Sequence, residues 1–159
     1  MTTIVHPASD DPVRDERFRL GIEGSGVGIW DLDILTHGLL WSNTTRILFG
    51  VPKDLPLTYD LFLSLLEPQD RARTDQAVSR SVETGCTFDL QYRVDRGSQS
   101  YQWVRALGSV VRDEKGAPRH ISGLVIDIEE QKQVEEALRI RESHLRSILE
   151  TIPEAMIVI

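Results

Sequence analysis

Between residues 102 and 149 two apolar strands run into a long charged helix without any breaker, and this stretch constrains the fold more than any other. Over 102–112, Trp103, Leu107 and Val111 alternate with Val104, Ala106 and Val110, which predicts a strand covered on both faces. The polar stretch 113–118 supplies a turn in which Gly116 can take a positive φ, and 121–128 is the return strand of an antiparallel hairpin. Asp127 stands three residues before Glu130, the spacing of a capping box, and is expected to cap the helix that follows. A sheet therefore passes directly into a stiff rod.

Along the rod Val134, Leu138, Leu145, Ile148 and Ile152 recur at alternating four- and three-residue spacing, with Arg141 completing the series. Glu135, Glu136, Arg139, Glu142 and Arg146 flank this seam. One aliphatic seam between charged sides predicts a parallel homodimer through the helix, the competing arrangement being a helix folded back on its own domain. Pro153 ends the helix, because a proline drives its predecessor out of the α region. The apolar run 154–159 then reads as the first strand of a second module. A faint repeat agrees with this: Arg19 and Glu23, like Arg146 and Glu150, stand four apart before a break and an apolar strand.

Among 159 residues 40% are hydrophobic, enough for one ordinary core plus an extension. The net charge of -7, with no basic stripe, argues against nucleic acid and anionic membranes as partners. A lone cysteine, Cys86, excludes an internal disulfide and any multi-cysteine zinc site. It falls in a helix-to-strand turn and is expected to be semi-buried and unreactive. No apolar run approaches the ~20 residues of a membrane helix, and the first ten residues lack the basic start of a leader, so a cytoplasmic location is expected.

Residues 1–10 have no periodicity and are expected to be mobile; 11–22, with Pro12 at the first turn, predict an amphipathic helix that adds to the dimer contact. The glycines over 24–28 follow a helix and precede a strand, the reverse of a phosphate-binding loop. Strands are expected at 29–34 and 39–42 and, after short helices, at 88–94. Ser42 or Asn43 caps a short helix stopped by Gly50, residues 59–66 form a buried one, and Asp70 caps a longer one over 71–84 stopped by Gly85. The fold class is α+β: a five-stranded antiparallel sheet with helices on one face, an N-terminal amphipathic helix and a C-terminal coiled-coil-like connecting helix. The expected domains are a folded core over 11–128, a connecting helix over 129–152 and a truncated strand over 153–159.

Several motifs carry a family likeness: Gly28-Ile-Trp-Asp-Leu-Asp33, Trp41-Ser42, Leu48-Phe-Gly50, Glu67-Pro-Gln-Asp-Arg71, Phe88-Asp-Leu-Gln-Tyr-Arg93, Trp103-Val-Arg105 and Asp127-Ile-Glu-Glu-Gln-Lys132. Together they resemble the PAS domain family of bacterial sensors, with Glu129 where the family commonly has threonine. The resemblance implies an ion pair between Arg105 and Asp127 tying strand to helix start. More narrowly, Ile22-Glu-Gly24, Tyr59-Asp-Leu-Phe-Leu-Ser64, Leu66-Glu-Pro68, His144-Leu-Arg-Ser-Ile-Leu149 and 152–159 resemble the first PAS domain of oxygen-sensing histidine kinases from nitrogen-fixing bacteria. That likeness implies downstream PAS and kinase domains as partners, with haem on the following PAS domain only.

The residues themselves supply no chemistry. The helix over 71–84, which in haem-carrying relatives bears the axial ligand, has no histidine, and none of His6, His37, His120 or His144 is expected to face a pocket. No cofactor is therefore expected here, nor any metal ligand set, nucleophile-base pair or catalytic residue. Asp31 and Asp33 read as a solvent-facing alternation, and His144 as a solvated helix residue. Two functions remain: a relay and dimerisation module without ligand, or a sensor holding a small molecule among Trp30, Trp41, Phe62, Tyr92 and Trp103.

Overall fold

The computed structural model describes residues 24–152 together with Arg17, Leu20 and Gly21. Those three are helical, within the expected 11–22 helix; the rest of that helix, the start 1–10 and the strand 153–159 lie outside the described residues. The chain divides into two units, Met1–Asp127 and Ile128–Ile159.

In the first unit the order is β1 (Gly28–Asp33), β2 (Leu39–Trp41), α1 (Asn43–Phe49), α2 (Tyr59–Ser64), α3 (Pro68–Thr84), β3 (Phe88–Asp95), β4 (Tyr101–Arg112) and β5 (Pro118–Asp127). The strands form one antiparallel sheet in the order β2-β1-β5-β4-β3. Alternation divides its side chains. One face sends Phe88, Tyr92, Val94, Val104, Ala106 and Val125 into the core, where Leu48, Phe49 and Leu66 from the helical segments meet them. The other face carries Ile29, Asp31, Trp103, Arg105, Leu107 and Leu124. Among the described residues that face is only partly covered, Val111 being 48% exposed, so β4 is buried on one side and not on both.

Local rules explain the helix limits. Ser42 Oγ accepts from Thr45 N to open α1, and Gly50 closes it at φ 69°. Thr58 caps α2, and Gly85 ends α3 at φ 73°. The cap of α3 is Glu67 rather than Asp70: its carboxylate accepts from Gln69 N, and Pro68 follows in the first turn. A segment just before α3 closes the free edge of β3, with Leu66 bridged to Val94 and Glu67 N donating to Arg93 O at 2.9 Å.

At the sheet centre Gly108 and Gly123 face each other across β4 and β5. A Cβ on Gly123 would stand 1.8 Å from Leu107 O, and one on Gly108 2.6 Å from the Trp30 ring. Gly108 leaves the space in which the Trp30 ring lies, its indole nitrogen donating to Leu124 O at 2.9 Å, and Gly123 lets the backbone of β4 come close.

The second unit is α4 (Glu129–Thr151). Its N-cap position is Ile128, one residue after the expected Asp127, and the Ile128 side chain supplies no cap. Glu129 and Glu130 place negative charge in the first turn, where the helix dipole favours it.

Candidate functional site

Aromatic side chains converge between the sheet and its helices. Trp30, Trp41, Phe62 and Tyr92 join Phe49, Tyr59 and Phe88 around an interior cavity of about 30 Å³. Three ring pairs meet edge-on, Trp30 to Phe88 at 5.8 Å, Trp41 to Phe62 at 6.3 Å and Phe62 to Tyr92 at 5.9 Å between centroids, and the pairs made by Phe49 are tilted. Burial pushes the Tyr92 phenol well above its ordinary pKa, so it stays neutral. A space of this size suits one or two waters and falls far below the ~300–1,000 Å³ of ordinary ligand pockets.

Trp103 is not part of this cluster. It projects from the opposite face of β4, where the Arg93 guanidinium lies 5.3 Å from its ring centroid. His37 also departs from expectation. It sits at the β1–β2 turn with φ 59°, yet lines an open cleft of about 240 Å³ with Leu32, Tyr59 and residues of α3. Cys86 is exposed rather than semi-buried; a hydrogen bond with Thr84 first, then Ser81 and the charge of Arg80, hold its thiol below the ordinary value against some desolvation.

The expected pair of Arg105 and Asp127 is replaced by two others. Arg105 grips Asp89 bidentately at 2.9 and 2.8 Å, while Asp127 accepts from Gln102 Nε2 at 2.7 Å. Register is the reason. Asp127 lies opposite Val104, next in sequence to Arg105, so the two side chains leave opposite faces of the sheet.

A buried ionic knot that the sequence pattern did not reveal ties α3 to the sheet edge. Asp70 accepts from Arg93 through Nε, Nη2 and the backbone N–H at 3.0, 3.0 and 2.8 Å, Glu67 holds the same guanidinium at 3.0 Å, and Arg73 adds a contact at 3.2 Å. Desolvation raises the Asp70 pKa, but the bonds from Arg93 and Arg73 outweigh it and leave the carboxylate below its ordinary range. Because Arg93 also lies over Trp103, the knot connects the start of α3 with the outer face of β4. On that face Asp31 joins β1 to β5 by bonds to His120 Nδ1, at 2.9 Å, and to Ser122 Oγ, so it is more than a solvated alternation.

On α4 the expected seam is open to solvent: Val134 is 55%, Leu138 55%, Leu145 52% and Ile148 44% exposed. Arg141 and His144 on the same helix are exposed too.

Residues 39–125 match the family described as PAS fold. The chain belongs to the PAS family. It is 55% identical over 158 residues to the sensor protein FixL of Bradyrhizobium diazoefficiens, a match covering 99% of this chain and 31% of that protein. A blue-light-activated histidine kinase of Brucella anthropi is 30% identical over 114 residues, covering 72% of this chain and 23% of the kinase. The chain thus spans less than a third of the length of either relative. Among solved structures, a sensory box histidine kinase/response regulator from Burkholderia thailandensis superposes with a TM-score of 0.69 at 29% identity, over 82% of this chain and 98% of that one. In this PAS domain the Glu67-Pro-Gln-Asp-Arg71 motif therefore has a visible duty: it supplies both the cap of α3 and the carboxylates of the knot.

Proposed function

We propose that this PAS domain is a non-catalytic relay and dimerisation module, the first of its kind in a FixL-like two-component sensor histidine kinase. It carries no cofactor of its own and works in the cytoplasm. The parent protein senses oxygen through haem on the next PAS domain and controls nitrogen-fixation genes through its kinase. The observation that carries this reading is the join at Asp127–Glu129. The tenth residue of β5 and the first of a 23-residue helix are separated by Ile128 alone, so a change in strand twist becomes a rotation of the helix. A parallel homodimer through Val134, Leu138, Arg141, Leu145 and Ile148, assisted by the N-terminal helix, would hand that rotation to the following PAS and kinase domains. The size of the aromatic cavity supports relay over sensing of a molecule held among Trp30, Trp41, Phe62 and Tyr92.

Phase in the connecting helix is the test, made in a full-length kinase carrying this module. Inserting two residues after Glu130 rotates everything beyond by about 200°, whereas a seven-residue insertion, one heptad, nearly restores the seam. The short insertion is expected to uncouple autophosphorylation from the stimulus and the long one to preserve it. Equal behaviour of the two would contradict a relay by helix phase.

A further inference from the structure

The cleft beside the β1–β2 turn is lined differently from the aromatic interior. Its floor is aliphatic, made by Leu32, Ile34, Val78 and Val82, and its volume of about 240 Å³ suits a slender ligand. Its polar groups come mainly from one face of α3, where Asp75, Ser79 and Glu83 recur at helical spacing. Asp75 and Glu83 stand two turns apart, about 12 Å along the axis. Among the described residues neither carboxylate takes part in an ion pair. Asp75 accepts one hydrogen bond, from Tyr59 Oη at 2.8 Å, and keeps capacity for more. The Tyr59 ring, 6.1 Å from the His37 ring, forms an aromatic wall of the kind that attracts organic cations.

We infer that this cleft binds a linear aliphatic diamine or polyamine. Its methylene chain lies along Leu32, Ile34, Val78 and Val82, with one ammonium at Asp75 beside the Tyr59 ring and another at Glu83. An anion is disfavoured by the two carboxylates, and a bare metal ion by their separation and the apolar floor between them. This ligand goes beyond the relay reading and does not depend on it. Since the cleft touches both β1 and α3, an occupant would also bias the element that feeds the sheet.

Calorimetric titration of the whole chain with spermidine tests it, with n-butylamine as the single-charge comparison. Saturable one-to-one binding is expected, with n-butylamine at least tenfold weaker. The Asp75→Asn/Glu83→Gln double variant should lose at least tenfold in affinity, and Glu83→Gln alone, which breaks no hydrogen bond among the described residues, severalfold. Glu114→Gln, on the β4–β5 turn and outside the cleft lining, should change nothing. Absence of saturable heat would overturn the assignment. So would equal losses in Glu114→Gln and the double variant, which would reveal only diffuse attraction to an acidic surface.

Discussion

The ionic knot at the edge of β3 makes a quantitative prediction. Asp70 is 4% exposed and accepts three bonds from Arg93, one of them from the backbone N–H of an edge strand. Removing one partner of a fully buried pair costs about 3–5 kcal/mol. The Arg93 side chain, however, is 28% exposed and keeps Glu67 at 3.0 Å, so water and the second carboxylate recover part of that loss. The orphaned N–H adds about 1–3 kcal/mol. Asp70→Ala should therefore destabilise the domain by about 2–4 kcal/mol, with a smaller effect for Asp70→Asn, which keeps an acceptor for the N–H. Urea unfolding of Asp70→Ala, Arg93→Ala and the double variant forms the cycle, and a coupling of about 1–3 kcal/mol at unchanged m is expected. The pH dependence has a definite sign. The folded carboxylate titrates below its unfolded value of about 4. Its stabilisation is thus complete above that value and lost as pH falls through the folded one, so the gap between wild type and Asp70→Asn should narrow in acid. A cost for Asp70→Ala below about 0.5 kcal/mol, or no coupling, would refute the knot as a structural tie.

Other consequences follow from single contacts. Gly123→Ala puts a Cβ against backbone atoms that cannot move aside, whereas in Gly108→Ala the obstacle is the Trp30 ring; thermal unfolding should show Gly123→Ala as the more damaging, to the point of yielding no folded protein. Arg105→Ala removes a solvent-exposed pair with Asp89 and should leave the urea midpoint within error of wild type; a clear drop would mean that the Arg105 contact secures the sheet. The exposed, acid-shifted Cys86 thiol should react with iodoacetamide faster than a free cysteine at the same mildly acidic pH, read by mass spectrometry; equal rates would count against the Thr84 and Ser81 bonds.

What the sequence discloses is mostly what neighbours along the chain decide. Period-two alternation located β3 and β4, the turn after β4 located β5, and Gly50, Gly85 and Gly116 marked stops and a turn because each needs a positive φ that other residues resist. The errors are non-local. Arg105 and Asp127 could not be paired correctly because neither strand's pattern states the register, and one residue of shift moves a side chain to the other face. Asp70 has the chemistry of a cap, and only its distant partner Arg93, 23 residues later, shows why it is engaged elsewhere. Trp103 belongs by size to an aromatic core, but parity on β4 places it with Arg93 outside. The cleft at Asp75 and Glu83 could not be read from α3 alone, since part of its floor, Leu32 and Ile34, comes from β1 and the turn after it. The helix of α4, by contrast, needed no tertiary information, since no breaker interrupts its run.

Sedimentation velocity on the whole chain, compared with Leu138→Glu/Leu145→Glu, tests most directly whether the connecting helix is the joint through which this domain acts. The account predicts a dimer for the wild type and a folded monomer, with an unchanged near-ultraviolet circular dichroism spectrum, for the variant. A wild-type monomer, or a dimer that the two glutamates leave intact, would contradict it.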